Sequence, residues 1–212
     1  GDGKYTFTMP RANVTVEAVF TASGEQPSGL PFTDVDADDW FHDAVTYVYE
    51  NNMMEGTGET TFAPTMELTR GMIAQVLYNL EGQPDVTAGA GFSDVADGAW
   101  YADAVNWAAA QGIVEGYGNG SFGPEDSITR EQLAAILYRY AGYKGFDTTQ
   151  GGMAVREFSD YDQISDWALE AMDWAVNAQV LSGKGNGVLD PLGTATRAEV
   201  AQVLMNFGEN VQ

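Results

Sequence analysis

Three arginines stand where helix electrostatics argue against them. Arg70, Arg130 and Arg197 each follow a threonine, Thr69, Thr129 or Thr196, and each precedes an apolar stripe of helical spacing. The threonine is the expected N-cap, since its side-chain oxygen accepts from backbone N–H groups of the first turn. Thr196 with Glu199 spells a capping box and Thr129 with Gln132 a permitted variant, whereas Thr69 has Met72 at that spacing. The arginine then takes the first helical position, where the dipole is positive and a cation costs about 0.3–1 kcal/mol. Only nine Lys and Arg residues exist in the chain, so three of them here call for a reason. One reason is an anion site, with guanidinium and free helix N-terminal amides converging on a carboxylate or phosphate. The other is an ion pair with an acid such as Asp34, Asp94 or Asp160. Pattern alone leaves both open.

The elements that must position these arginines come from an internal repeat. Phe32-Thr33-Asp34-Val35, Phe92-Ser93-Asp94-Val95 and Phe158-Ser159-Asp160-Tyr161 open three similar units. Trp40, Trp100 and Trp167 follow, then a second aromatic at Tyr47, Trp107 and Trp174, then Gly56, Gly116 and Gly183. Pro64, Pro124 and Pro191 precede the Thr-Arg pairs, completing one order of features three times over. Each unit reads as helix, loop, helix. Phe41, Ala44, Val45 and Val48 form the first unit's first apolar face. Tyr101, Ala104, Val105 and Ala108, then Ala168, Ala171, Met172 and Ala175, do so in the others. The second stripes are Ile73, Val76, Leu77, Leu80; Leu133, Ile136, Leu137, Tyr140; and Val200, Val203, Leu204, Phe207. A single helix–loop–helix cannot bury its own stripe, so the three units are expected to share a core, with these second stripes facing one another.

The expected division is a strand pair over 1–20, a linker over 21–30, repeats over 31–83, 91–141 and 158–208, and a linker over 142–157. The strand pair rests on Tyr5, Phe7 and Met9, and on Val14, Val16, Ala18 and Phe20, alternating with polar residues around Pro10 and Asn13. Gly1 is not an initiator methionine and no signal peptide opens the chain, so it reads as a piece of something longer.

Composition narrows the chemistry. With 31 acidic against 9 basic residues, the net charge of −22 repels polyphosphates, and nucleic acid is a poor partner. The absence of cysteine excludes disulfides, thiol nucleophiles and thiolate metal sites. No apolar run reaches membrane-spanning length. Asp34, Asp36 and Asp38 alternate like a calcium loop, but Asp39 and Val45 stand where that loop needs glycine and glutamate. His42, the sole histidine, has Ala102 and Leu169 at its counterparts and reads as a solvated surface residue. No catalytic residue set, metal site or cofactor motif is recognised, and carboxylates are too common to single out a glycosidase pair.

Phe-Ser-Asp-Val, the Trp-led helix, Gly112-Ile113-Val114-Glu115-Gly116-Tyr117 and Ile128-Thr129-Arg130-Glu131 together resemble the S-layer homology domain over roughly residues 31–208. Residues 5–16 look like the end of an internalin-type surface β-repeat. The first resemblance implies a mainly α fold: three helix–loop–helix repeats in a spindle-like pseudo-threefold bundle. It also implies an extracellular module that holds a larger protein to the bacterial cell wall; separately, no metal or cofactor is expected, and a shared three-unit core makes the fragment self-sufficient as a monomer. Its ligand would be secondary cell wall polysaccharide, often pyruvylated, bound in grooves between repeats. By that resemblance Arg70, Arg130 and Arg197 are the anion contacts, capped by Thr69, Thr129 and Thr196. Asp34, Asp94 and Asp160 with Trp40, Trp100 and Trp167 are then groove-wall residues. An aromatic face suits a sugar's C–H face, yet a repeated tryptophan is more often core, so these three are read as structural before functional. The alternative reading is a protein–protein assembly module of a surface layer that binds no glycan.

Overall fold

A computed structural model describes residues 29–86 and 88–211. The strand pair expected over 1–20, with its internalin-type likeness, lies outside the described residues. Six α-helices follow in order: α1 His42–Glu50, α2 Arg70–Leu80, α3 Ala102–Ala110, α4 Arg130–Lys144, α5 Leu169–Asn177 and α6 Arg197–Asn210. Three short 3-10 turns, Ala154–Glu157, Tyr161–Gln163 and Asp166–Ala168, lead into α5. The linker expected over 142–157 starts late, because α4 runs on to Lys144 before Gly145 turns left-handed at φ 74°.

The second helices start as their sequences ask. Thr129 and Thr196 stand in extended conformation and close both halves of a capping box with Gln132 and Glu199. Thr69 accepts from the Met72 amide alone, and α2 still begins at Arg70. The first helices stop by a shared device. Asn52, Gly112 and Gln179 sit left-handed, and the next residue's amide reaches back to Val48, Ala108 and Ala175.

Between the helices, the opening motif grips its own glycine-rich loop. A Cβ on Gly56, Gly116 or Gly183 would come within 2.5–2.6 Å of the Cε1 of Phe32, Phe92 or Phe158, so only glycine lets the ring lie there.

Packing runs from each repeat to the next. The closest helix pairs are α2 with α3, α4 with α5, and α6 with α1. The expected facing of the three second stripes holds where their side chains meet, while the closest backbone approaches lie elsewhere. Each second helix beds against the first helix of the following repeat, and the second helices meet through long side chains, as where Tyr140 lies 5.8 Å from Phe207. Small residues on the first helices, such as Ala44, Ala104 and Ala108, allow that close approach. Just ahead of the second helices, three buried residues exchange backbone hydrogen bonds in a closed triangle. Leu68 donates to Ala195 (3.0 Å), Ala195 to Ile128 (3.0 Å) and Ile128 to Leu68 (2.8 Å). One continuous apolar cluster links all three repeats.

Candidate functional site

Each motif arginine leaves its own repeat. Arg70 donates from Nε to the Phe122 carbonyl (2.9 Å) and from Nη2 to that of Glu115 (2.7 Å), at the second repeat's glycine-rich loop. Arg130 makes the same pair of bonds to Leu189 and Ser182 in the third repeat. Arg197 makes them to Phe62 and Glu55 in the first. The three residues are 5 %, 4 % and 6 % exposed. Burial lowers each guanidinium's pKa, although arginine keeps its charge.

The helix amides are taken as well. The amides of Arg70, Arg130 and Arg197 donate to the carbonyls of Asp126, Gly193 and Met66, and the next amide in each helix donates to that of Pro124, Pro191 or Pro64. The threonine cap holds the third. No free amides remain for an anion at these termini. What remains is Nη1, which takes no partner among the described residues. No buried side-chain nitrogen there lacks a bond, so this atom reaches the surface.

The aspartates form no ion pair with these arginines. Each accepts two backbone amides: Asp34 from Phe62 and Ala63, Asp94 from Phe122 and Gly123, Asp160 from Leu189 and Asp190. Burial alone would raise their pKa values. The amide bonds, helped by Arg197, Arg70 and Arg130 respectively, outweigh it and hold each carboxyl below the usual range. Phe62, Phe122 and Leu189 are thus clamped twice, by the Asp of their own repeat at N–H and by an Arg of the preceding repeat at C=O. The residue after each, Ala63, Gly123 or Asp190, turns left-handed.

The tryptophans overturn their structural reading. Trp40, Trp100 and Trp167 are 63 %, 56 % and 56 % exposed, while Trp107 and Trp174 carry the core role. The exposed set stands just ahead of the first helices, out of phase with their buried faces. Trp40 and Trp100 make T-shaped contacts with the neighbouring Phe41 and Tyr101.

One groove of about 400 Å³ joins groups from three repeats. Arg70 comes from the first, Glu115, Tyr117, Gln132 and Arg139 from the second, and Trp167 from the third, with Ala135 and Ile136 of α4 beneath. Arg70 stacks over Tyr117, its guanidinium carbon 4.8 Å from the ring centre, and the Tyr117 hydroxyl donates to Asp126 (2.9 Å). Arg139 pairs with Glu115 at 2.6 Å.

The S-layer homology domain model matches residues 31–71, 91–134 and 157–201, more than half of the chain. The chain belongs to the S-layer homology family. It is 34% identical over 182 residues to an amylopullulanase of Thermoanaerobacterium thermosulfurigenes, covering 84% of this chain and 9% of that protein. It is 31% identical to an exoglucanase of Acetivibrio thermocellus, covering 88% of the chain and 17% of the relative. An S-layer protein of Bacillus anthracis is also 31% identical, covering 90% and 23%. The chain thus spans less than a quarter of each. None of the three family matches reaches residues 1–30, so they lend no support to the internalin-type likeness. S-layer homology repeats are cell-wall anchoring modules rather than catalytic ones, and the family places this chain at the cell surface. No helix among the described residues is long and apolar enough to cross a membrane.

Of the residues expected to serve these repeats, the structure gathers Arg70 and Trp167 in one groove. It holds Asp34, Asp94 and Asp160 to backbone amides instead. Arg139 carries no sequence-based expectation, and Glu115, Tyr117 and Gln132 are marked in the sequence only as motif or capping residues. A signal for Arg139 existed, since Asn79 and Asn206 occupy its counterparts and it is one of only nine basic residues.

Proposed function

We propose that this chain holds a larger extracellular protein to the bacterial cell wall, non-covalently, by binding secondary wall polysaccharide in grooves between its repeats. The preferred ligand is an anionic, pyruvylated sugar. The repeats, over 31–83, 91–141 and 158–208, form a pseudo-threefold spindle, and the cyclic hand-over of arginines and helices supports that arrangement. A monomer suffices, since the third repeat closes onto the first.

The observation that carries the reading is the groove over α4, where an exposed indole and solvent-reaching guanidinium groups share one cleft. An aromatic face and charged donors together suit a sugar bearing a carboxylate. The test is sedimentation of the purified chain with peptidoglycan-linked wall polysaccharide. Trp167→Ala is expected to weaken binding while leaving folding stability within about 0.5 kcal/mol, as for a surface substitution. Undiminished binding by this variant would remove the groove from the reading.

A further inference from the structure

The positions that line the groove over α4 carry different side chains in the other two repeats. In the groove over α4, Arg139 adds a second guanidinium to Arg70, close enough that its charge disfavours the protonated state of Arg70. The Arg139 side chain is 30 % exposed, and its partner Glu115 is 69 % exposed, so their pair lies at the surface where an exposed ion pair is worth little. Over α6 the arginine is Arg130, Asn206 replaces Arg139, and Lys184 stands where Tyr117 would be. That lysine is tied down by Asp190 at 3.3 Å and Glu199 at 3.2 Å. Over α2 the arginine is Arg197, with Asn79 and Thr57 at the two positions.

Resting on the wall-binding reading above, we propose that the groove over α4 is the acid-selective one and that Arg139 determines this selectivity. Two like charges converge there in a chain of net charge −22. Together they call for an anion. Glu115 fills the role of that anion in the free protein: its carboxylate accepts from Nη2 of Arg139, and an acidic substituent of the sugar exchanges with it. The substituent then meets Arg139 and Nη1 of Arg70 together, while the sugar ring lies against Trp167. The positions around Arg130 and Arg197 lack this second arginine, and any glycan held there is chosen on other grounds.

The experiment measures binding of the folded chain and its variants to wall polysaccharide in three preparations: native, stripped of pyruvate ketals by mild acid, and stripped of phosphodiesters by hydrofluoric acid. Arg139→Gln is expected to lower affinity for the native polysaccharide by about tenfold or more, the scale of losing one charge-assisted contact. Its affinity for the preparation lacking the recognised anion should equal that of the unaltered chain. Glu115→Gln should bind the native polysaccharide several-fold tighter, because no internal carboxylate competes. The preparation that abolishes the difference between Arg139→Gln and the unaltered chain tells whether the anion is a carboxylate or a phosphate. If Trp167→Ala loses binding and Arg139→Gln does not, the groove stands and the role of Arg139 falls. Equal losses on all preparations would make Arg139 merely structural and overturn the inference. No binding by the unaltered chain would sink the wall-binding reading and the inference with it.

Discussion

Arg70, Arg130 and Arg197 hold the helix position least suited to a cation because each uses its planar fork as a strut between repeats. A guanidinium reaches two carbonyls with a fixed geometry, whereas an ammonium offers one compact point of charge. Arg130→Lys is therefore expected to lose about 1.5–3 kcal/mol, the scale of a hydrogen bond to a charged group, in urea denaturation. A wall-binding loss in any of these arginine variants has to be read against that structural damage. The aspartates give a second residue-scale expectation. Their folded pKa values lie below the unbonded value of 3.8, so the stability they contribute is complete above that pH and is lost as pH falls beneath it. Thermal midpoints followed from about pH 5 to about pH 2 should drop below the unfolded pKa, and Asp160→Asn should flatten that drop while lowering stability at neutral pH. The importance of these positions was legible from residue type and spacing. Their partners were not, because the partners are backbone carbonyls and amides, which every residue carries and no sequence marks. The exposed tryptophans were misread for a related reason: helical periodicity sorts residues inside a helix, and Trp40, Trp100 and Trp167 stand before one.

At the scale of elements, the apolar stripes read from sequence are the faces that the structure buries, and the threonine caps start the second helices where expected. Periodicity says which side of a helix turns inward but not which helix it meets, so the pairing of each second helix with the next repeat's first helix lay beyond it. The 3-10 turns before α5 escaped for want of any period. The joints between repeats also differ in tightness. Glu131 is buried and accepts from the amide and hydroxyl of Ser165, pinning the approach to α5. At the corresponding position of α2, Gly71 has no room for a side chain: a Cβ would stand 2.8 Å from the Pro124 carbonyl oxygen. Gly71→Ala is expected to destabilise by about 1–3 kcal/mol, as overpacking does, despite the better helix propensity of alanine. Differential scanning calorimetry of that single variant checks it, and a gain in stability would show that the first joint yields.

Across the whole molecule, the contacts between repeats form a cycle rather than a stack. In an open array each unit touches only its neighbours, so removing a terminal unit leaves the rest folded with a smaller transition. Here the third repeat meets both others. Arg197 braces the first repeat's loop, α6 covers α1, and Ala195 completes the backbone triangle with Leu68 and Ile128. Deleting residues 158–211 would open two faces at once. Buried Ala44, Val45 and Val48 lie on α1, which loses α6, while on α4 Tyr138 loses Trp174 of α5 and Tyr140 loses Phe207 of α6. Each Å² of apolar surface so exposed costs about 25 cal/mol, against a net stability of only about 5–15 kcal/mol for an ordinary domain. The shortened chain is therefore expected to show no cooperative unfolding transition and to bind a hydrophobic dye such as ANS, while the intact chain unfolds in one step. A shortened chain that melts cooperatively, with about two-thirds of the original enthalpy as for residue-proportional scaling, would mean that the repeats stand independently and that the cycle contributes little.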